Sequence, residues 1–292
     1  MDAVTVACVP KRTAPSAMAA TPRYISVSRR TDIPRFFVND FFKAWLAGEV
    51  TYDGGYGRSH TVSLRPGDVL GYIFWSKDFE PLLRHPLFEK LIATSNAVFH
   101  CTVNDDQELE PRVAPLESRL KTLRDLCAEV GPERVFWRFD PICKYVDNYG
   151  RIVSNEQGFF RILPHMKSVG IKHCFFSFMS MYRKLNNRGL RFQEFSGEEK
   201  RSMCRKMLHA CSRAGMILYN CCNSEVVRFE PGILQAHCID NDILQATDRF
   251  NVHRPLVAKP TRKGCGCHES RDIGSYSQKC PHGCLYCYAN PL

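Results

Sequence analysis

The chain has no long apolar run, and no stretch with the apolar core of a secretory signal, so neither a membrane-spanning helix nor a secreted product is expected. Like charges do not gather into a long run either. Arg29-Arg30, Arg183 to Arg191 and Lys259 to Lys263 are separate patches, which argues against a polybasic tail. Tyr24 to Leu292 contains no internal repeat and no low-complexity tract, so a stacked-repeat architecture is not expected. Residues 1–22 are rich in Ala, Thr and Pro and lack acidic side chains beyond Asp2. They read as a disordered lead, with a cleaved organelle-targeting segment as the alternative.

Cysteine and positive charge, by contrast, are abundant. Fifteen cysteines among 292 residues would suit a disulfide scaffold, but such scaffolds are short secreted chains, so free thiols in a reducing cytoplasm are the expectation. Forty basic against thirty acidic side chains leave a formal charge of +10. This invites an anionic partner: a small-molecule or nucleotide-like substrate, a nucleic acid, or an acidic external electron donor. The plain alternative is a solvated basic surface. A hydrophobic content of 44% allows one large domain with a sizeable core.

From Tyr24 onward short apolar runs alternate with longer amphipathic ones. Strands are expected at Tyr24–Ser28, Val69–Trp75, Ala97–Val103, Arg134–Phe139, His173–Phe178 and Met216–Cys221. Helices are expected at Pro34–Ala47, Phe79–Ala93, Leu116–Val130, Glu156–Ser168 and Gly197–Ala214, most of them closed by glycine. Leu116, Leu120, Leu123, Cys127 and Val130 recur at helical spacing, and Ser196 with Glu199 has the form of a capping box. This alternation predicts an α/β fold with a parallel sheet, closed into a partial or full (β/α) barrel over residues 23–250; an open doubly wound sheet is the rival. The glycines of residues 49–68 mark a long flexible connection. Polar residues at the strand ends would line one mouth: Ser28 to Asp32, Ser76 and Lys77, Thr102 and Asn104, Arg138 and Asp140, Ser177, and Asn220 to Cys222.

Residues 251–292 carry the densest chemistry. Cys280, Cys284 and Cys287 stand as C-x3-C-x2-C, with Pro281, His282 and Gly283 bending the first interval. Soft thiolates select iron–sulfur clusters or zinc, and three of them leave one corner of an iron–sulfur cube without a protein ligand. A zinc site is the other reading, drawing also on Cys265, Cys267 and a histidine. Zinc ligands usually come as C-x2-C pairs, however, and this tail has one such pair. Cys265 and Cys267 could also join Cys222 and Cys238 around a second iron–sulfur cluster, or be buried inert thiols.

The string Cys280-x3-Cys284-x-Tyr286-Cys287 resembles the cluster motif of the radical S-adenosylmethionine superfamily, and with Tyr288 it is similar to that of spore photoproduct lyases. From Tyr24 onward the chain also resembles the domain-of-unknown-function 1848 family, through Ile25-Ser-Val-Ser-Arg-Arg-Thr-Asp-Ile-Pro34, Phe74-Trp-Ser-Lys77, Arg134-Val-Phe-Trp-Arg-Phe-Asp-Pro-Ile142 and the cysteine-rich terminus. The first resemblance implies a [4Fe–4S] cluster on Cys280, Cys284 and Cys287, with S-adenosylmethionine on the fourth iron and a 5′-deoxyadenosyl radical as product of its reduction. In that superfamily the motif lies early in the chain. Its terminal place here implies a circular permutation that keeps the cluster loop over the barrel mouth. Arg138 and Asp140, two apart on one strand, share a face; with Lys77 and Arg29 they are candidates for holding the cofactor, or are structural ion pairs. The superfamily's Gly-Gly-Glu motif is not evident. Two further readings stand beside this one: a zinc-stabilised basic module that binds nucleic acid, and a non-catalytic redox iron–sulfur protein.

Overall fold

A computed structural model describes residues 21–54, 58–275 and 277–289. Residues 1–20 of the expected lead, Gly55 and Gly57 of the expected flexible connection, and Tyr276 and the last three residues lie outside the described residues.

The centre is a parallel sheet of eight strands: β1 (Arg23–Val27), β2 (Val69–Ser76), β3 (Ala97–Thr102), β4 (Val135–Ile142), β5 (His173–Phe178), β6 (Ile217–Asn220), β7 (Leu234–Gln235) and β8 (Arg271–Asp272). Its order is β7-β6-β5-β4-β3-β2-β1-β8, so sequence neighbours pair and the last strand returns beside the first. The six expected strands are present, their ends shifted by a few residues at most.

Both faces of the sheet are apolar, as a parallel sheet requires. Alternate residues Ile25, Phe74, Phe99, Trp137, Phe176 and Leu218 face one core, shared with Leu123 of the Leu116–Val130 helix, Ile162 of Glu156–Ser168 and Met207 of Gly197–Ala214. Tyr24, Ile73, Val98, Phe136, Phe175 and Tyr219 face the other, which the segment from Ala236 to Cys267 covers. The Gly197–Ala214 helix opens with the expected capping box on Ser196 and Glu199.

Two expected helices divide. Pro34–Ala47 becomes Ile33–Phe36 and Val38–Ala47, because Asp32 caps and tethers the first turn while Phe41 and Phe42 dock the second piece into the core. Phe79–Ala93 becomes Glu80–Leu83 and Phe88–Thr94, since Pro86 lacks an amide proton and disfavours helix at the residue before it. Nor is the whole of residues 49–68 loop. Glu49–Asp53 pairs antiparallel with Ser59–Ser63, Val50 opposite Val62, and Tyr52 is buried. A second small sheet, from Lys144–Val146, Ile152–Ser154 and Arg191–Gln193, brings Tyr145 and Phe192 beneath the terminal cysteines. Among the described residues no helix is long and apolar enough to cross a membrane.

Candidate functional site

The loop after β8 returns over the ends of β1 and β2, and three buried polar clusters fix it there. Asp272 of β8 accepts from Ser28 Oγ at 2.7 Å, Ser26 Oγ at 2.9 Å and the Arg29 and Gly274 amides at 3.0 Å each. Gly274 packs so closely that a Cβ there would lie 1.8 Å from Ser28 Oγ. Asp32, after β1, accepts from Ser76 Oγ at 2.7 Å and the Lys77 amide at 3.0 Å, and its Oδ2 lies 2.8 Å from Nε2 of buried His282. Glu110 accepts from Lys77 Nζ at 2.7 Å, from Asn104 Nδ2 at 2.8 Å and from the Tyr286 hydroxyl. Burial alone would raise the Glu110 carboxyl; the Lys77 and Arg119 charges outweigh it and hold the pKa below the usual range. Lys77 also donates to Tyr286 Oη at 2.7 Å, and Tyr288 donates to the Arg29 carbonyl at 2.9 Å.

This arrangement frames a cavity of about 490 Å³. Cys280, Cys284 and Cys287 line it together with Arg29, Lys77, Arg138 and Asp140, and so do Cys265 and Cys267. These nine candidates for the cluster and its cofactor therefore meet at one cavity. Of the expected mouth residues Ser28 to Asp32, Ser76, Thr102, Cys221 and Cys222 also line it, whereas Asn104, Ser177 and Asn220 are buried away from it. Lys77 has its ammonium turned into the Glu110–Tyr286 cluster. Arg138 reaches Asp140 Oδ2 at 2.5 Å and Cys238 Sγ at 3.2 Å, with its guanidinium 5.4 Å from the centre of the Trp75 ring. Trp137 is a core residue, but Trp75 belongs to the cavity wall, stacked on His100 at 4.1 Å. Burial, then the Arg138 charge, pushes His100 down to about 3, so that ring is neutral at neutral pH.

The cysteines fall into two groups. Burial pushes Cys280 up to about 11 and Cys284 up to about 12. On another part of the wall Cys221 Sγ lies 3.5 Å from Cys222 Sγ and 3.7 Å from Cys238 Sγ. There the bond from Cys221, aided by Arg262, lowers Cys222 to about 6, and bonds from Cys221 and Cys267 hold Cys238 well below an ordinary thiol. Among the described residues no three His, Cys, Asp or Glu side chains are arranged around one metal ion; these thiols contact one another and the neighbouring guanidiniums instead. Cys101, Cys127, Cys143, Cys174, Cys204 and Cys211 are buried in the core and away from the cavity.

Residues 24–289 match the family described as Domain of unknown function (DUF1848). The chain belongs to this family. No curated protein matches it. The stretch that defines this DUF1848 chain begins at β1 and ends just past Cys287, so it spans every strand and residue that frames the cavity.

Sequence reasoning missed Glu110, Asp272, Arg262 and Tyr182. Glu110 and Asp272 are single carboxylates in short or irregular segments and carry no periodic mark; only the tertiary fold brings them to their partners. Arg262 lies 3.0 Å from Cys222 Sγ and 3.2 Å from Tyr182 Oη, and its place in the Lys259 to Lys263 patch hid it among surface charges. A second cavity, of about 550 Å³, runs beside the Val38–Ala47 helix and carries neither cysteine nor histidine.

Proposed function

We propose that this protein is a radical S-adenosylmethionine enzyme of the reducing cytoplasm, built on a circularly permuted (β/α) barrel with its cluster loop last. The observation that carries this reading is the meeting of Cys280, Cys284 and Cys287 with Arg29, Arg138 and Asp140 around one cavity. Permutation is supported by the strand order, since β8, directly before the motif, pairs with β1. In that reading the motif would keep the place beside the opening strand that an early motif occupies.

The donor set fits the group it would hold. Cys280, Cys284 and Cys287 line the cavity from one eight-residue loop; three such thiols would hold three irons of a [4Fe–4S] cluster and leave the fourth without a protein ligand. When bound, that cluster would supply the electron that cleaves S-adenosylmethionine, using an external donor. The chain's own residues bind and position. Asp32 with His282, and Glu110 with Lys77 and Tyr286, hold the loop's backbone, so we assign Lys77 to positioning. Arg29, which pairs with Asp272 at 3.5 Å, and Arg138, which pairs with Asp140, would supply positive charge to the cofactor carboxylate, and Asp140 would accept from its amino or ribose hydroxyl groups. Tyr145, Phe192 and Leu109 shield the loop's inner side from water. Arg30 and Arg262 extend the positive wall, in keeping with an anionic small-molecule or nucleotide-like substrate.

The test is anaerobic reconstitution with iron and sulfide, reduction by dithionite and addition of S-adenosylmethionine. Formation of 5′-deoxyadenosine that falls to background in Cys284→Ala supports the proposal. A brown protein that never cleaves the cofactor, or a colourless one holding zinc, overturns it.

A further inference from the structure

We propose that Cys222, Cys238, Cys265 and Cys267 ligate a second iron–sulfur cluster on the wall of the same cavity. These thiols come from three separate stretches of chain: the turn after β6, the segment after β7 and the Gly264-Cys265-Gly266-Cys267 loop. Their convergence is therefore a product of the fold, and all four line the cavity. Cys238 and Cys267 pack in one buried cluster, the Cys267 amide lies 3.4 Å from Cys265 Sγ, and Cys221 bridges Cys238 to Cys222.

The backbone is shaped to bring them in. Cys222 holds φ at 65°, a left-handed conformation rare outside glycine. Gly264, at φ 75°, sits where a Cβ would come within 3.0 Å of the Cys222 carbonyl oxygen, and a Cβ on Gly266 would come within 2.9 Å of His237 Nε2. Glycine on both sides of Cys265 is thus what lets the loop approach Cys222 and Cys238.

Charge is matched as well. Four thiolates around a cubane carry net negative charge, which a buried site must balance. Arg138 Nη1 stands 3.2 Å from Cys238 Sγ and Arg262 Nε 3.0 Å from Cys222 Sγ. The ligand chemistry allows iron–sulfur or zinc. Zinc sites draw ligands in C-x2-C to C-x4-C pairs, whereas these thiols are Cys265-x-Cys267 and two distant single residues. They also border open space, which a cube needs and a bare ion in a closed thiolate shell does not. Ligation requires the side chains to turn from their mutual contacts into that space.

The site uses different thiols from the terminal motif, and the test separates the two. Each [4Fe–4S] cluster adds about four irons per chain. The Cys280→Ala/Cys284→Ala/Cys287→Ala protein, reconstituted without oxygen, is expected to keep about four irons with matching sulfide, and to lose them when Cys238→Ser is added. Wild type is expected to hold about eight, falling to about four in Cys238→Ser alone, a near-isosteric change that guards against misfolding of the triple variant. Wild type with about four irons unaltered by Cys238→Ser overturns the proposal, as does zinc without iron in the triple variant. A terminal motif that binds nothing would show instead as an iron count indifferent to Cys284→Ala.

Discussion

Replacing Glu110 by glutamine should loosen the terminal loop at its root. Glu110 is 2% exposed, and the Lys77 side chain 13% exposed, so the pair is shielded from water. Glutamine keeps much of the shape and can still bond Tyr286 and Asn104, but it leaves the Lys77 ammonium buried without its counter-charge. Removing one member of a buried pair costs about 3–5 kcal/mol, mostly from the stranded charge. At about 2–4 °C per kcal/mol for a chain somewhat smaller than this one, Tm should fall by roughly 6–20 °C. Thermal unfolding followed by circular dichroism at pH 7 measures this. The companion variant Lys77→Met/Glu110→Gln removes the stranded charge as well and should recover part of the loss. A Tm for Glu110→Gln within about 2 °C of wild type, or a double variant worse than the single, would refute the role given to this pair.

Gly274→Ala should push β8 away from Ser28 and cost about 1–3 kcal/mol by overpacking; with it, the iron retained after anaerobic reconstitution and desalting should drop. An unchanged Tm and iron content would mean that the strand has room the structure does not give it. Asp248 ties the segment after the Asn241–Ala246 helix to the sheet, accepting from Asn96 Nδ2 at 2.6 Å and the His253 amide at 2.7 Å. Burial works to raise its pKa, but the His253 amide and Asn96 outweigh it and hold the carboxyl below its usual range. A depressed folded-state pKa gives stability that is present above the ordinary carboxylate range and lost as pH falls through the folded value. Wild type should therefore lose more Tm between pH 5 and pH 3 than Asp248→Asn does; parallel profiles would remove Asp248 from the account.

The six long strands and three long helices were readable because each carries a period or a continuous apolar run, from Val69 to Trp75 or Leu116 to Val130. What escaped has too few residues to show a period. Leu234–Gln235 and Arg271–Asp272 are two residues each, yet the second fixes where the terminal motif sits. The pairing of Glu49–Asp53 with Ser59–Ser63 hid behind the neighbouring glycines of the sequence, although Val50 and Tyr52 alternate in the manner of a strand. The candidate site was legible as residue types, since thiols and strand-end cations announce themselves. Which of them serve as wall and which as anchor was not. Lys77 and Arg138 look alike in sequence, and only the positions of Glu110 and Cys238 tell that one ammonium is turned into an anchoring cluster while the other cation faces a thiol.

The central claim is that the terminal thiolates hold a cluster whose fourth iron opens on the cavity. Its most direct test is electron paramagnetic resonance of the reduced Cys238→Ser protein, in which a terminal cluster would stand alone, recorded before and after addition of S-adenosylmethionine. Binding of the cofactor at that iron should change the cluster's spectrum, and the change should vanish together with the signal in Cys238→Ser/Cys284→Ala. A cluster signal that S-adenosylmethionine leaves untouched, or one that survives the loss of Cys284, would contradict the account.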